Sequence, residues 1–252
     1  MLIFELIAAG VFVGILSGFF GIGGGMLLVP ILMALGFDIK AAIAISVVQM
    51  FFSSIMGSYL NSKKGNLKVN EGIFVGIGGA VGAFFGAHLT DILPQRALAF
   101  LLLGIVTLAF IRVAISKHHL DIQEKSAASW LLFLIGVFVG TISIMLGVGG
   151  AVLLTPIMVG FLHYSTKKAA TASLFFVVFS SITGVVYKLS KGVFNNLSLD
   201  TFTVLSVALG ALFGVILGIK LKETVHTKHH KLSLLAMYLV IIGMLLNELL
   251  AH

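Results

Sequence analysis

The hydrophobic and polar positions of this chain separate into long, continuous apolar runs with the polar residues gathered between them. Ala41–Leu60, Gly72–Leu89 and Ala169–Tyr187 contain no Asp, Glu, Lys or Arg. Ala97–Ile115, Leu199–Ile219 and Leu232–Leu250 contain one each (Arg112, Asp200 and Glu248), close to an end of the run. Such runs suit a hydrocarbon core of ~30 Å at 1.5 Å per helical residue. Because they are unbroken rather than alternating, they predict membrane-spanning helices and not barrel strands.

Two further apolar segments are interrupted by glycine. Leu2–Leu35 breaks at Gly21, Gly23, Gly24 and Gly25, with Pro30 beyond, and a later segment breaks at Gly147, Gly149 and Gly150, with Pro156 beyond. Glycine costs a helix roughly 1 kcal/mol per residue against alanine, so each cluster predicts a break in its helix. The more regular spacings Gly10-x3-Gly14, Gly78-x3-Gly82-x3-Gly86 and Gly210-x3-Gly214-x3-Gly218 predict close helix packing instead.

The two broken segments are copies. Gly10–Leu32 laid over Gly136–Met158 without a gap gives 13 identities in 23 positions, from Gly10/Gly136 through Ser17/Ser143 to Ile31/Ile157. One residue further in register, Ala42, Ser46, Ser53 and Gly57 fall on Ala169, Ser173, Ser180 and Gly184. The chain is therefore read as a duplicated half: residues 1–116 as the first membrane repeat, 117–129 as a cytoplasmic linker and 130–252 as the second repeat.

Charge chooses between two threadings. If each broken segment crosses straight through, the 16 Lys and Arg divide evenly between the faces. If each is a re-entrant hairpin followed by three full crossings, Lys40, Arg96, Lys188 and Lys191 lie on one face and the other 12 basic residues on the opposite one. The second distribution obeys the positive-inside rule. It predicts an all-α integral membrane protein of two inverted-topology repeats, with both termini outside the cytoplasm and the tips near the midplane. The second arm, Met26–Leu35, measures ~15 Å, half the hydrocarbon thickness.

Composition narrows the functional classes. With 59% hydrophobic residues and a mean hydropathy of +1.17, the lipid bilayer is the expected solvent, and the net charge of +7 is explained by topology rather than nucleic acid. The absence of cysteine excludes disulfides, thiolate metal sites and thiol-relay chemistry. No cofactor or metal is expected. Met1–Glu5 has no basic n-region, so no cleavable signal peptide is expected. All nine acidic residues fall in loops or at span ends, so no carboxylate proton relay is expected at mid-membrane, and a site without a central acid suits a cation poorly. An intramembrane enzyme is disfavoured, since Ser46 and Ser53 have no base or metal set beside them in a span centre.

Non-helical backbone survives at membrane depth only where it is buried in protein or lines a cavity. Two hairpins entering from opposite faces would bring two helix N-termini together, with free N–H groups and positive dipole ends that suit an anion without any fixed cation. The candidate site is Gly21, Gly23, Gly24 and Gly25 with Gly147, Gly149 and Gly150, together with hydroxyl and amide groups of the following helices: Ser46, Gln49 and Ser53, and Ser173 and Ser180 in the copy. Ser46, Gln49 and Ser53 follow i, i+3, i+7 along one helix face. Gln49 has Phe176 as its counterpart, so the two half-sites are chemically unequal.

The pattern Gly14-x3-Gly18-Phe19-Phe20-Gly21-Ile22-Gly23-Gly24-Gly25-x4-Pro30, repeated in the second half with Ala151 in place of Gly25, resembles the sulfite exporter TauE/SafE family. The resemblance implies a multi-pass transporter of the cell inner membrane for small sulfur-containing anions: sulfite, sulfoacetate or another organosulfonate. It leaves a channel for small inorganic anions as the alternative. A homodimer is compatible with the small-residue faces.

Overall fold

The computed structural model describes residues 2–20, 24–62, 69–115, 128–164, 166–197, 200–222 and 227–251. It is all-helical there: α1 (Leu2–Phe20), α2 (Gly25–Ala34), α3 (Ile39–Ser62), α4 (Val69–Ile92), α5 (Gln95–Ile115), α6 (Ser129–Leu146), α7 (Ala151–Gly160), α8 (Thr166–Ser190), α9 (Val193–Asn196), α10 (Thr201–Lys222) and α11 (Thr227–Ala251). Among the described residues seven helices, α3, α4, α5, α6, α8, α10 and α11, are long and apolar enough to cross a membrane. The linker 117–129 lies outside the described residues apart from its last two.

Both glycine clusters break the helix. α1 ends before the first cluster and α2 starts at Gly25, while Gly147 closes α6 in a left-handed turn at φ 65° and α7 starts at Ala151. The chain then turns back: Val13 and Leu16 of α1 share one small hollow with Leu27 of α2, positions that a straight helix would hold roughly 20 Å apart. The arms are unequal, however. The second arms are 10 residues each, as expected, but the first arms run 19 and 18 residues, close to the length of a full span. The apolar run measures the arm after the break; where the arm before it begins is set by loops that hydropathy marks poorly.

α2 stops in a Schellman turn. Phe37 N–H donates to the Leu32 carbonyl at 3.0 Å and Gly36 N–H to Met33 at 2.9 Å, with Gly36 at φ 89°. This sharp end turns the chain directly into α3, whose Ala41–Met50 stretch is buried on every side.

Glycine stripes pair the two halves. A Cβ at Gly10, Gly14 or Gly18 of α1 would overlap the carbonyl oxygen of Val207, Ala211 or Val215 of α10, and one at Gly214 or Gly218 would overlap that of Val11 or Ile15 in return. The copies do the same with roles exchanged: Gly78, Gly82 and Gly86 of α4 sit on the carbonyls of Phe133, Val137 and Thr141 of α6. Backbones this close gain dispersion contact along the whole length of the helices. These stripes are thus occupied within the chain rather than offered to a second copy.

The same contacts give helix directions. Rising numbers meet rising numbers between α1 and α10, between α4 and α6, and between α4 and α8, where Gly72 meets Phe175 and Gly76 meets Phe179. α3 and α8 run opposite ways, since Gly57 meets Leu174 and Gly184 meets Val47. One end of the bundle collects Asp38, Arg96 and Glu248 around a hollow of about 790 Å³ and, beside another, Lys40, Asp91, Lys188 and Lys191. Arg112 and Gly160 meet elsewhere, at the end of α5 remote from Arg96.

Candidate functional site

The two glycine turns touch. A Cβ at Gly25 would overlap the carbonyl oxygen of Gly147 and lie 2.7 Å from the Ser46 hydroxyl, while one at Gly147 would lie 3.2 Å from the backbone of Ile43. The Ser46 hydroxyl, completely buried, donates to the Gly147 carbonyl at 2.7 Å across 101 residues of sequence. Only glycine at 25 allows this approach, and the φ of 71° at Gly24 lies in the region glycine favours. Both turns therefore lie against the middle of α3, with Gly150 against the middle of α8 through Phe176.

Each turn opens a helix whose N-terminus is buried and has no side-chain cap. Gly24 accepts from the Leu27 and Leu28 amides, and Gly150 from Leu153 and Leu154, so the amides of the first turn ahead of these have no partner within their helix. The Val152 amide reaches back to the Gly149 carbonyl at 3.4 Å, outside the helix. Two helix N-termini with their positive dipole ends are thereby placed in one buried region, where a low dielectric strengthens their effect on any negative charge.

Gln49 and its counterpart occupy equivalent places. The Gln49 amide nitrogen would lie 2.8 Å from a Cβ at Gly24, and the Phe176 ring would overlap a Cβ at Gly150. One half-site is thus lined by an amide and the other plugged by an aromatic ring. Gln49 is fully buried, its Nε2 donates to the Ser53 hydroxyl at 2.7 Å, and its Oε1 has no partner among the described residues. Such an orphan costs about 1–3 kcal/mol. Turning the amide over would let Ser53 donate to Oε1 and release the NH2 group beside Gly24 as a donor.

Of the residues the sequence singled out, Gly24, Gly25, Ser46, Gln49, Ser53 and Gly147 are brought together, and Gly150 joins them through Phe176. Gly149 sits in the second turn at φ 81°. Gly21 and Gly23 lie outside the described residues. Ser180 spends its hydroxyl on the Val177 carbonyl of its own helix at 3.3 Å, and Ser173 lies 3.0 Å from the Thr155 hydroxyl. These two are not aimed at the tip contact. Ser143, one turn before Gly147 and not among the candidates, has a buried hydroxyl without a partner among the described residues, and its signal was the match to Ser17 in the repeat.

A helical membrane bundle holding two uncapped, uncharged helix ends against each other has the build of a membrane transport protein. The chain belongs to the sulfite exporter TauE/SafE family, whose model it matches over residues 6–245. It is 29% identical to the probable membrane transporter protein MJ0441 of Methanocaldococcus jannaschii, over 91% of this chain and 90% of that one. Similarity extends to two probable membrane transporter proteins of Bacillus subtilis, YdhB (28% identical, 68% of this chain and 72% of that one) and YunE (25%, 88% and 89%). No solved structure matches.

Proposed function

We propose that this multi-pass membrane protein carries a small sulfur-containing anion, sulfite, sulfoacetate or another organosulfonate, and binds it between the two glycine tips. The observation that carries the reading is the contact of Gly25 with the Gly147 carbonyl, closed by Ser46: two buried helix N-termini meet where no fixed charge is present. The tips are shut in this conformation, since the space between them does not admit a methyl group. Binding then requires the tips to part, which breaks the Ser46 bond and frees its hydroxyl, the first-turn amides and the Gln49 amide for the anion. A contact that must open and close favours a carrier over a channel.

The helix directions support an inverted pair of repeats. Antiparallel α3 and α8 with parallel α4 and α8 are expected if the chain turns back at each tip, and straight crossings would reverse both relations. Under this reading the protein lies in the cell membrane with the Lys40, Arg96, Lys188 and Lys191 end outside. The family's printed description, sulfite exporter, supports the substrate class.

The test is uptake of labelled sulfite and sulfoacetate by reconstituted protein, which should saturate and show counterflow. Gly24→Leu and Gly149→Leu, which place a side chain in the tips, should abolish it. Flux that is unsaturable, or that survives both substitutions, would overturn the reading.

A further inference from the structure

The charged end of the bundle holds a second feature, separate from the tips. A cavity of about 330 Å³ lies between the start of α3, the end of α4 and the end of α8, lined by Lys40, Thr90, Asp91, Lys188 and Lys191. That volume falls in the range of small-molecule sites. Three lysines face one aspartate there. Lys188 is only 1% exposed, an unusual burial for an ammonium group, which is costly unless paired.

The single carboxylate is shared. Asp91 lines the cavity together with Lys40, Lys188 and Lys191, and beside it the Tyr187 hydroxyl lies 3.1 Å from Nδ1 of His88. Lys40 has its ammonium on the Asp91 backbone carbonyl at 2.8 Å, a neutral acceptor, so one carboxylate serves the three lysines of the lining. The cavity is therefore electropositive with a low-dielectric wall, the arrangement that focuses a field on an incoming anion.

Its floor connects to the tips. The Thr90 hydroxyl donates to the Met145 carbonyl at 3.0 Å, two residues before the Gly147 turn. Along α3, Lys40 is six residues from Ser46, ~9 Å of helix. An anion resting among the lysines thus stands one short step from the closed tip contact.

We infer that this cavity is a vestibule that binds a small oxyanion or sulfonate before it passes to the tips, with Lys188 as the buried anchor and Lys40 and Lys191 as its outer cations. The inference rests on the transport reading above. Its role is capture rather than translocation, so removing a lysine acts on apparent affinity and leaves turnover in place.

The experiment measures sulfite uptake by reconstituted protein against substrate concentration at low and high salt, for the wild type and for Lys188→Gln, Lys188→Arg and Lys191→Gln. Lys191 is exposed, so its variant folds even if Lys188→Gln does not. Support is a KM raised roughly tenfold in the glutamine variants, the low end of what a focused field provides, with kcat little changed, a flattened salt dependence and recovery in Lys188→Arg. An unchanged KM and salt dependence in Lys191→Gln, or a loss confined to kcat, would overturn the vestibule. Those outcomes leave the tip reading standing, because Gly24→Leu and Gly149→Leu test it in the same vesicles. A wild type that neither binds nor moves sulfite or sulfoacetate sinks both.

Discussion

The hydroxyl of Ser46 holds the carbonyl of Gly147 at 2.7 Å, joining the helix after the first glycine turn to the turn of the other half. Both partners are buried, so neither has water as an alternative. Ser46→Ala leaves the carbonyl without this donor and is expected to lower the unfolding free energy by about 1–3 kcal/mol. Because the bond also latches the closed tips, the same variant should shift the protein toward the open form. Thermal unfolding in detergent measures the first effect. Faster labelling of a cysteine placed at Ser143, in a chain that has no cysteine of its own, measures the second.

Gln49 supplies a prediction of opposite sign. Its buried Oε1 has no partner among the described residues, so replacing the side chain by leucine removes an unsatisfied acceptor and fills similar volume, while the Ser53 hydroxyl it leaves can turn to a carbonyl of its own helix. Gln49→Leu is expected to be as stable as the wild type or slightly more so, while losing saturable sulfite binding. Binding that persists at wild-type affinity would remove Gln49 from the site.

How much of this was readable beforehand differs from residue to residue. The helices, the two breaks and the repeat follow from apolar runs and glycine clusters, local signals that tertiary context does not alter. The inequality of Gln49 and Phe176 was also legible, because the register of the repeat aligns them, and in the structure they do occupy equivalent places against Gly24 and Gly150. The partners of the glycine stripes were not legible: a small-xxx-small spacing marks a face for close approach but not which helix fills it, and only the fold pairs α1 with α10 and α4 with α6. Lys188 is the clearest miss. Counted by charge it belongs to a membrane face, and nothing in its neighbours announces that the end of α8 is covered by Lys40, Asp91 and Val193. Likewise Ser173 and Ser180 share the spacing of Ser46 and Ser53, but Thr155 and a carbonyl of the same helix take up their hydroxyls.

The stripes themselves give a contrast between glycines. A Cβ at Gly14 overlaps the Ala211 carbonyl, whereas at Gly104 and Gly243 nothing lies within 4 Å. Gly14→Ala should push α1 off α10 and cost stability, because the obstacle is backbone and cannot rotate away. Gly104→Ala, inside α5, should be neutral or stabilising by up to about 1 kcal/mol, since it lowers the entropy lost on folding without meeting an atom. Comparing the melting temperatures of the two variants tests whether close approach or mere helix propensity governs these positions.

Topology can be read directly because any cysteine introduced is the only one present. Lys40, Asp91, Lys188 and Lys191 share a cavity, and Asp38, Arg96 and Glu248 another at the ends of α4, α8 and α11, whereas Arg112 meets Gly160. Of these, Arg96, Lys191 and Arg112 are exposed and can be replaced without disturbing the core. Arg96→Cys and Lys191→Cys are expected to react with a membrane-impermeant maleimide in intact cells, and Arg112→Cys only after permeabilisation. With straight crossings through the glycine breaks, α4 and α8 would run in opposite directions and residues 96 and 191 would label from opposite sides. Labelling from one side for that pair, with residue 112 on the other, is the outcome that the parallel run of α4 and α8 requires.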